Sequence, residues 1–204
     1  MSAPIGVLLA AGEGRRFGTH KLLHPLPDGR LLGVAAAGNL IAALPGSVAV
    51  IRPGDVEMQT ALAGLGFQLI VSAEVARGMG SSLALAVRAT RSCNQGWVVA
   101  LADMPWIERR TIHMIAARVE QGARLVAPEY GGRRGHPVGF AAQWGEQLAQ
   151  LSGDAGARTL LSENLSALEL LAVDDPGVLL DVDSADQLLH DPGRGRSPAV
   201  QSDR

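Results

Sequence analysis

Ile5-Gly6-Val7-Leu8-Leu9-Ala10-Ala11-Gly12-Glu13-Gly14-Arg15-Arg16-Phe17-Gly18-Thr19-His20-Lys21 decides the fold. Its first part, Gly6 to Leu9, is a short apolar run bounded by glycine, which predicts a buried strand. The apolar run from Ile5 to Ala11 is far shorter than the roughly 20 residues a bilayer-crossing helix needs. No basic flank precedes it, so it does not read as a signal peptide. The second part is a glycine-rich loop carrying Arg15, Arg16 and Lys21. In an open α/β sheet ligands bind beyond the carboxyl ends of the strands, which is where this loop leaves the first strand. Glycines let backbone N–H groups approach a ligand and the cations add positive charge. That combination suits a polyphosphate.

Two familiar phosphate-loop spacings fail. A Walker A loop needs Lys and then Ser or Thr directly after its second glycine, and here Gly18 is followed by Thr19 and His20. A dinucleotide fingerprint needs Gly-x-Gly-x-x-Gly, and here the third glycine, Gly18, comes one residue late. The next segment, with Pro25 and Pro27, does not open a helix, which disfavours a nicotinamide dehydrogenase. A solvent loop with ordinary surface cations would also account for the composition.

Working outward, strands and helices alternate. Strands are expected at Ser47–Ile51, Gln68–Val71, Trp97–Leu101 and Leu125–Ala127. Helices are expected at Leu31–Leu44, from an Asp55 cap to about Leu62, at Ser81–Ala89 and at Glu108–Glu120. This order predicts an α/β fold: a Rossmann-like, mainly parallel sheet with helices on both faces. The continuous apolar run Trp97–Leu101 suits a central strand covered on both sides. After Pro128 the pattern breaks into a hairpin or looped insertion around Gly131, Gly132 and Gly135. Helical stretches at Gln143–Leu151 and Ala155–Glu163 follow, then strands at Leu168–Val173 and Leu179–Val182 and a short helix capped by Ser184. Residues 1–190 are expected to form the domain. Residues 191–204, with Pro192, Gly193, Gly195 and Pro198 and no apolar pattern, are expected to be a disordered tail.

The carboxylates come next. Asp103 follows the strand Trp97–Leu101, in Ala102-Asp103-Met104-Pro105. If that strand neighbours the first, Asp103 lies beside the glycine-rich loop. Mg²⁺ prefers one or two carboxylates plus phosphate oxygens and water, so Asp103 fits a metal anchor for a bound triphosphate. It could equally cap a helix or shape the turn before Pro105. Asp181-Val182-Asp183-Ser184 holds a second acidic group, whose aspartates share a face if the segment is a strand. Asp183 or Ser184 would also serve as a helix N-cap. The glycines of Arg77-Gly78-Met79-Gly80-Ser81-Ser82 lead into a helix, where free N–H groups suit an anion or a base edge. A plain start capped by Ser81 or Ser82 is the alternative.

Leu9-Ala10-Ala11-Gly12, Gly14, Arg16, Phe17, Gly18 and Lys21 resemble, with their spacing, the signature of nucleotidyltransferases that join an NTP to an acceptor phosphate. Gly78-Met79 through Ser82-Leu83, Gly135-His136-Pro137-Val138, Gly153-Asp154-Ala155-Gly156-Ala157-Arg158 and Asp181-Val182-Asp183-Ser184 follow in the order of the MobA-like NTP transferases. The resemblance runs from about Ile5 to Leu188 and is greatest to the molybdenum cofactor cytidylyltransferases. Ser184 and Ala185 stand where threonine and proline are usual, and Thr19-His20 is a variant between Gly18 and Lys21.

The resemblance implies a nucleotide-diphospho-sugar transferase-like fold and an Mg²⁺-dependent transfer of CMP from CTP to a molybdopterin-type cofactor. It implies that Leu9, Ala10, Ala11, Gly12, Gly14, Arg16, Lys21, Gly80, Ser81 and Ser82 bind the nucleotide. It makes Lys21, Arg16 and Asp103 catalytic, gives the metal to Asp103 and Asp183, and the acceptor to His136 and Arg158. Asp154 is also a good N-cap for the helix after it, and Arg158 could pair with it. CTP is favoured over GTP because a side chain at Ala11, where guanylyl members tend to have glycine, narrows the space for a purine. A GTP-using or sugar-phosphate relative of the same fold stays open, as does a non-catalytic carrier that hands the cofactor to a client molybdoenzyme.

Composition agrees with a small-molecule enzyme. Hydrophobic residues make up 47% of 204 and aromatics 3%, so the core must be aliphatic. The net charge of −2 argues against a nucleic-acid binder. No segment reads as a membrane span, and the single cysteine, Cys93, cannot form an internal disulfide, as expected of a cytoplasmic chain. His20, His24 and His190 lack metal-ligand spacing, and His113, beside Ile112 on an amphipathic helix, is expected at the surface. Trp106 is expected to pack rather than to bind.

Overall fold

The structure, a computed structural model, describes residues 3–12, 20–91 and 95–184. Gly14, Arg16, Phe17 and Gly18 of the glycine-rich loop, Cys93, the helix expected after Ser184 and the tail from residue 191 lie outside them.

Among the described residues eight strands form one sheet. They are β1 (Ile5–Leu9), β2 (Val48–Ile51), β3 (Gln68–Val71), β4 (Gly96–Leu101), β5 (Leu125–Tyr130), β6 (Arg133–Arg134), β7 (Val138–Ala141) and β8 (Leu168–Ala172). The order is β3-β2-β1-β4-β7-β5-β6, with β8 on β5. The first half, β3 to β4, is parallel throughout. β7 then enters antiparallel between β4 and β5, β6 makes the expected hairpin with β5, and β8 pairs parallel to β5. The sheet is therefore mixed but mainly parallel.

The helices α1 (Leu32–Ala43), α2 (Val56–Gly64), α3 (Met79–Thr90), α4 (Arg109–Glu120), α5 (Gly145–Ala149) and α6 (Arg158–Glu163) cover both faces. The period-two alternation of strands divides the core. Leu8, Ala49 and Val98 face α1, α2 and α4, packing on Leu40, Met58 and Ile115. Val7, Leu9, Val50 and Val99 face α3 and the C-terminal helices, packing on Leu83, Val87 and Leu161. Two tryptophans are buried with their polar atoms satisfied: Trp97 Nε1–H donates to Thr90 Oγ1 at 2.8 Å and Trp144 Nε1–H to the Arg124 carbonyl at 2.9 Å. Among the described residues no helix is long and apolar enough to cross a membrane.

Four local expectations are corrected. Leu179–Val182 is not a strand: Pro176–Leu179 forms a 3₁₀ turn, and the segment then runs across the carboxyl ends of the strands. Its backbone partners are not in a sheet, since Leu180 N–H donates to the Gly177 carbonyl at 3.2 Å and Val182 N–H to the Asp103 carbonyl at 3.0 Å; just before it, Val178 O accepts from His136 N–H at 2.9 Å. Helix α3 starts at Met79 with Gly78 as its N-cap, so Ser81 and Ser82 lie inside it. Asp154 does not cap α6, which begins at Arg158 after Ala157. Asp55 stands at the N-cap of α2, yet its carboxylate makes no cap there because it is engaged by His20.

Candidate active site

Register builds the site. Leu9 pairs with Leu101, and Ala102 N–H donates to the Leu9 carbonyl at 3.1 Å. The chain from Ala10 to Gly12 and the loop carrying Asp103 therefore leave neighbouring strands side by side, at the end of a parallel sheet where ligands bind. Lys21 opens a 3₁₀ turn that returns its side chain to this point. Its Nζ donates to Asp103 Oδ2 at 3.0 Å and to Asp183 Oδ1 at 3.3 Å. The three residues singled out as separate motifs thus form one cluster. Asp181 stays apart from Lys21 and lines a neighbouring cavity.

Asp183 is delivered by the strap of residues 175–183. At one end Asp175, only 2% exposed, accepts from Glu108 N–H at 2.9 Å, Thr111 Oγ1–H at 2.7 Å and Gly177 N–H at 3.0 Å. At the other end Val182 is held by the Asp103 carbonyl. The strap is clamped to both ends of the loop that carries Asp103, so the two carboxylates are positioned together.

Two cavities meet here. The first, about 510 Å³, is bounded by Ala11, Gly12, Lys21, Arg52, Ser82 and Asp103, with Leu9, Val75 and Ala76 among its apolar walls. The second, about 530 Å³, carries Arg133, Arg134, His136, Arg158, Asp181 and Asp183 over an apolar floor that includes Val99 and Phe140. Both volumes suit small-molecule sites. Leu9, Met79, Leu101, Asp103 and Asp154 border both cavities.

Not every expected nucleotide residue faces the first cavity. Leu9, Ala11, Gly12, Lys21 and Ser82 do. Ala10, Gly80 and Ser81 are buried behind it. Gly80 N–H is consumed by the Gly153 carbonyl at 2.8 Å, and Ser82 Oγ–H bonds the Gly78 carbonyl at 3.3 Å. Gly78 has φ +112°, and a Cβ there would overlap Gly153 and Asp154. This glycine lets α3 begin directly against the Ser152–Asp154 loop.

His136 follows the hairpin and precedes Pro137 through a cis peptide bond. Gly135 N–H bonds the Pro128 carbonyl at 2.8 Å, and its missing side chain leaves room for the Val178 carbonyl that holds His136 N–H. The ring's Nδ1 is buried without a partner. Burial pushes the His136 pKa down; Asp103 opposes this and Arg134 adds to it. The imidazole is therefore neutral at pH 7 and offers a hydrogen bond rather than a charge.

From sequence alone, Arg52 and His20 carry no role and Asp55 is only a helix cap. His20 Nε2 lies 2.7 Å from Asp55 Oδ2, Arg52 Nη2 lies 3.1 Å from the same nitrogen, and Arg52 Nε is 3.7 Å from Asp55. The group holds Arg52 at the carboxyl end of β2, as a second cation on the first cavity. No local motif announces it, because His20 and Asp55 are 35 residues apart.

The residues fit a divalent cation. Asp103 Oδ1 is a buried carboxylate oxygen with no hydrogen-bond partner, and Asp183 approaches the same ammonium. Among the described residues no three His, Cys, Asp or Glu side chains gather to hold a metal. Two carboxylates completed by phosphate oxygens and water are the usual provision for Mg²⁺ beside a nucleotide.

Comparison with known proteins bears on this geometry. The MobA-like NTP transferase domain family matches residues 6–168. The chain is 32% identical over 193 residues to nicotine blue oxidoreductase of Paenarthrobacter nicotinovorans, covering 90% of this chain and 93% of that one. It is 28% identical over 192 residues to purine catabolism protein PucB of Bacillus subtilis (strain 168), with the same coverage of both. Among solved structures, Rv0371c of Mycobacterium tuberculosis H37Rv superposes with a TM-score of 0.78 at 30% identity, over 91% of this chain and 96% of that one. The same mycobacterial protein has been solved in complex with manganese, with a TM-score of 0.75 at 28% identity, over 91% and 96% of the two chains.

Proposed function

This chain belongs to the MobA-like NTP transferase family, and on that premise we propose that it transfers CMP from CTP to the phosphate of a molybdopterin-type cofactor, with release of pyrophosphate. The observation that carries this reading is the contact of Lys21 with Asp103 and Asp183 where two cavities meet. One cavity then takes the nucleotide and the other the acceptor, so the reacting groups converge at the seam.

An oxygen of the acceptor phosphate attacks the α-phosphorus in line. The bond from that phosphorus to the bridging oxygen of the β-phosphate breaks, and pyrophosphate leaves with the electron pair. Such chemistry needs positioning and charge neutralisation rather than a covalent enzyme intermediate. Lys21 and Arg52, with Arg16 from the glycine-rich loop, neutralise the triphosphate. Ala11 and Gly12 let the nucleotide lie close to the backbone. Asp103 and Asp183 would hold Mg²⁺, which neutralises phosphate oxygens and withdraws charge from the reacting phosphorus. The manganese complex of the mycobacterial relative supports a divalent ion here. His136, neutral and with an open Nδ1, and Arg158 receive the acceptor, and Arg133 and Arg134 add cations on that side. The side chain of Ala11 borders the first cavity beside Val75 and Ala76, and on this reading it favours a pyrimidine over a purine.

Pyrophosphate release tests the reading. With Mg²⁺ and molybdopterin, CTP should yield pyrophosphate faster than GTP, ATP or UTP. No release with any NTP, despite tight pterin binding, would replace the enzyme by a carrier. The oxidoreductase name of the Paenarthrobacter relative supplies a competing redox reading. It requires NAD(P)H or another reductant to be consumed without pyrophosphate release, and the same assay reports that outcome.

A further inference from the structure

Asp154 has lost the capping role its sequence position suggests, since α6 begins at Arg158 with Ala157 as its N-cap. Among the described residues its carboxylate has neither hydrogen bond nor ion pair. The residue is exposed to solvent, and its Oδ1 lies in the space that a Cβ on Gly78 would need, at the N-terminal end of α3. A carboxylate is favoured beside a helix N-terminus. Among the described residues, Asp103 and Asp154 are the ionisable ones that border both cavities.

The two carboxylates have different surroundings. Asp103 sits with Lys21, so it can work among phosphates. Among the described residues no cation pairs with Asp154, and its carboxylate would repel a phosphate. It suits a neutral hydrogen-bond donor instead. If the α-phosphate reacts at the seam, the neutral part of the nucleotide joined directly to it is the ribose, whose hydroxyls are donors. Carboxylates read ribose hydroxyls in other nucleotide-binding folds for the same reason. We propose that Asp154 accepts hydrogen bonds from the ribose hydroxyls of the donor nucleotide and makes the enzyme select ribonucleotides. The proposal rests on the nucleotidyl-transfer reading above.

The test measures binding of CTP, 2′-deoxy-CTP and 3′-deoxy-CTP, each with Mg²⁺, by titration calorimetry, alongside their turnover. The wild-type protein should bind CTP about 10-fold or more tightly than the analogue lacking the contacted hydroxyl. Asp154→Ala should bind the two alike, at the analogue's affinity, and Asp154→Asn should recover part of the difference. Equal binding of all three nucleotides by the wild type overturns the proposal without any variant, so it stays decidable even if Asp154→Ala does not fold. Discrimination retained in a folded Asp154→Ala also overturns it, as does an effect confined to the KM of the acceptor. Absence of binding by any NTP to the wild type would instead overturn the nucleotidyl-transfer reading, and this proposal with it.

Discussion

Lys21 Nζ donates to Asp103 Oδ2 at 3.0 Å, joining residues 82 apart in sequence. The lysine is largely buried, so its charge is tied to the carboxylates around it. Losing either partner strands the other and removes a charge aimed at the phosphates. Lys21→Ala and Asp103→Ala should each lower pyrophosphate release by about 10²–10³-fold while remaining folded. Steady-state assays with circular dichroism of the same samples check this, and near-normal turnover in either would remove these residues from the site.

The metal assignment has its own readout. Mn²⁺ bound with CTP should give a tight site by electron paramagnetic resonance that Asp103→Asn abolishes. Asp183→Asn should weaken it less, because the Asp183 side chain is 53% exposed against 30% for Asp103. Chelation of the divalent ion should stop turnover, and Mg²⁺ should restore it. A Mn²⁺ site unchanged in both variants contradicts the assignment.

His136 should give stability a slope on the acid side. Its pKa is held down chiefly by burial. As pH falls through about 6.5, the ordinary value, the unfolded chain takes up a proton before the folded one does. Acid therefore favours unfolding: stability is full above about pH 6.5 and falls below it. Urea midpoints between pH 7.5 and 5.5 should drop more steeply for the wild type than for His136→Gln, and parallel profiles would refute this.

Asp175 bears on stability more than on chemistry. Asp175→Ala leaves Glu108 N–H, Thr111 Oγ1–H and Gly177 N–H without their shared acceptor. A loss of about 3 kcal/mol is expected, or roughly 6–12 °C in Tm. Thr111→Val should cost about 1 kcal/mol, because it removes one of the donors. Thermal melting decides; a shift under 2 °C for Asp175→Ala would show that the strap is not held there.

Much of this was legible because the signals are local. The run Trp97–Leu101 reads as a covered strand from its apolarity alone, and it is β4, at the centre of the sheet. The hairpin after Pro128 follows from its glycines. What failed was also local in form. Asp55 and Asp154 are good caps by type and place, yet one carboxylate was taken by His20 and the other turned to a cavity. Leu179–Val182 has the apolarity of a strand, but its backbone N–H groups bond the Gly177 and Asp103 carbonyls. Capping and pairing are competitions, and the competitors lie far away in sequence.

By itself the sequence determined the alternation of strands and helices, the aliphatic core and the residue types at the carboxyl ends of β1 and β4. Periodicity and glycine spacing suffice for these, since they act over a few residues. Tertiary structure decided that Lys21 bridges Asp103 and Asp183, that Arg52 joins the first cavity, that Gly80 and Ser81 lie behind it, and that Asp154 borders both cavities. Those outcomes depend on strand register and on the strap crossing the sheet's end. Both are set by packing between segments that no local pattern connects.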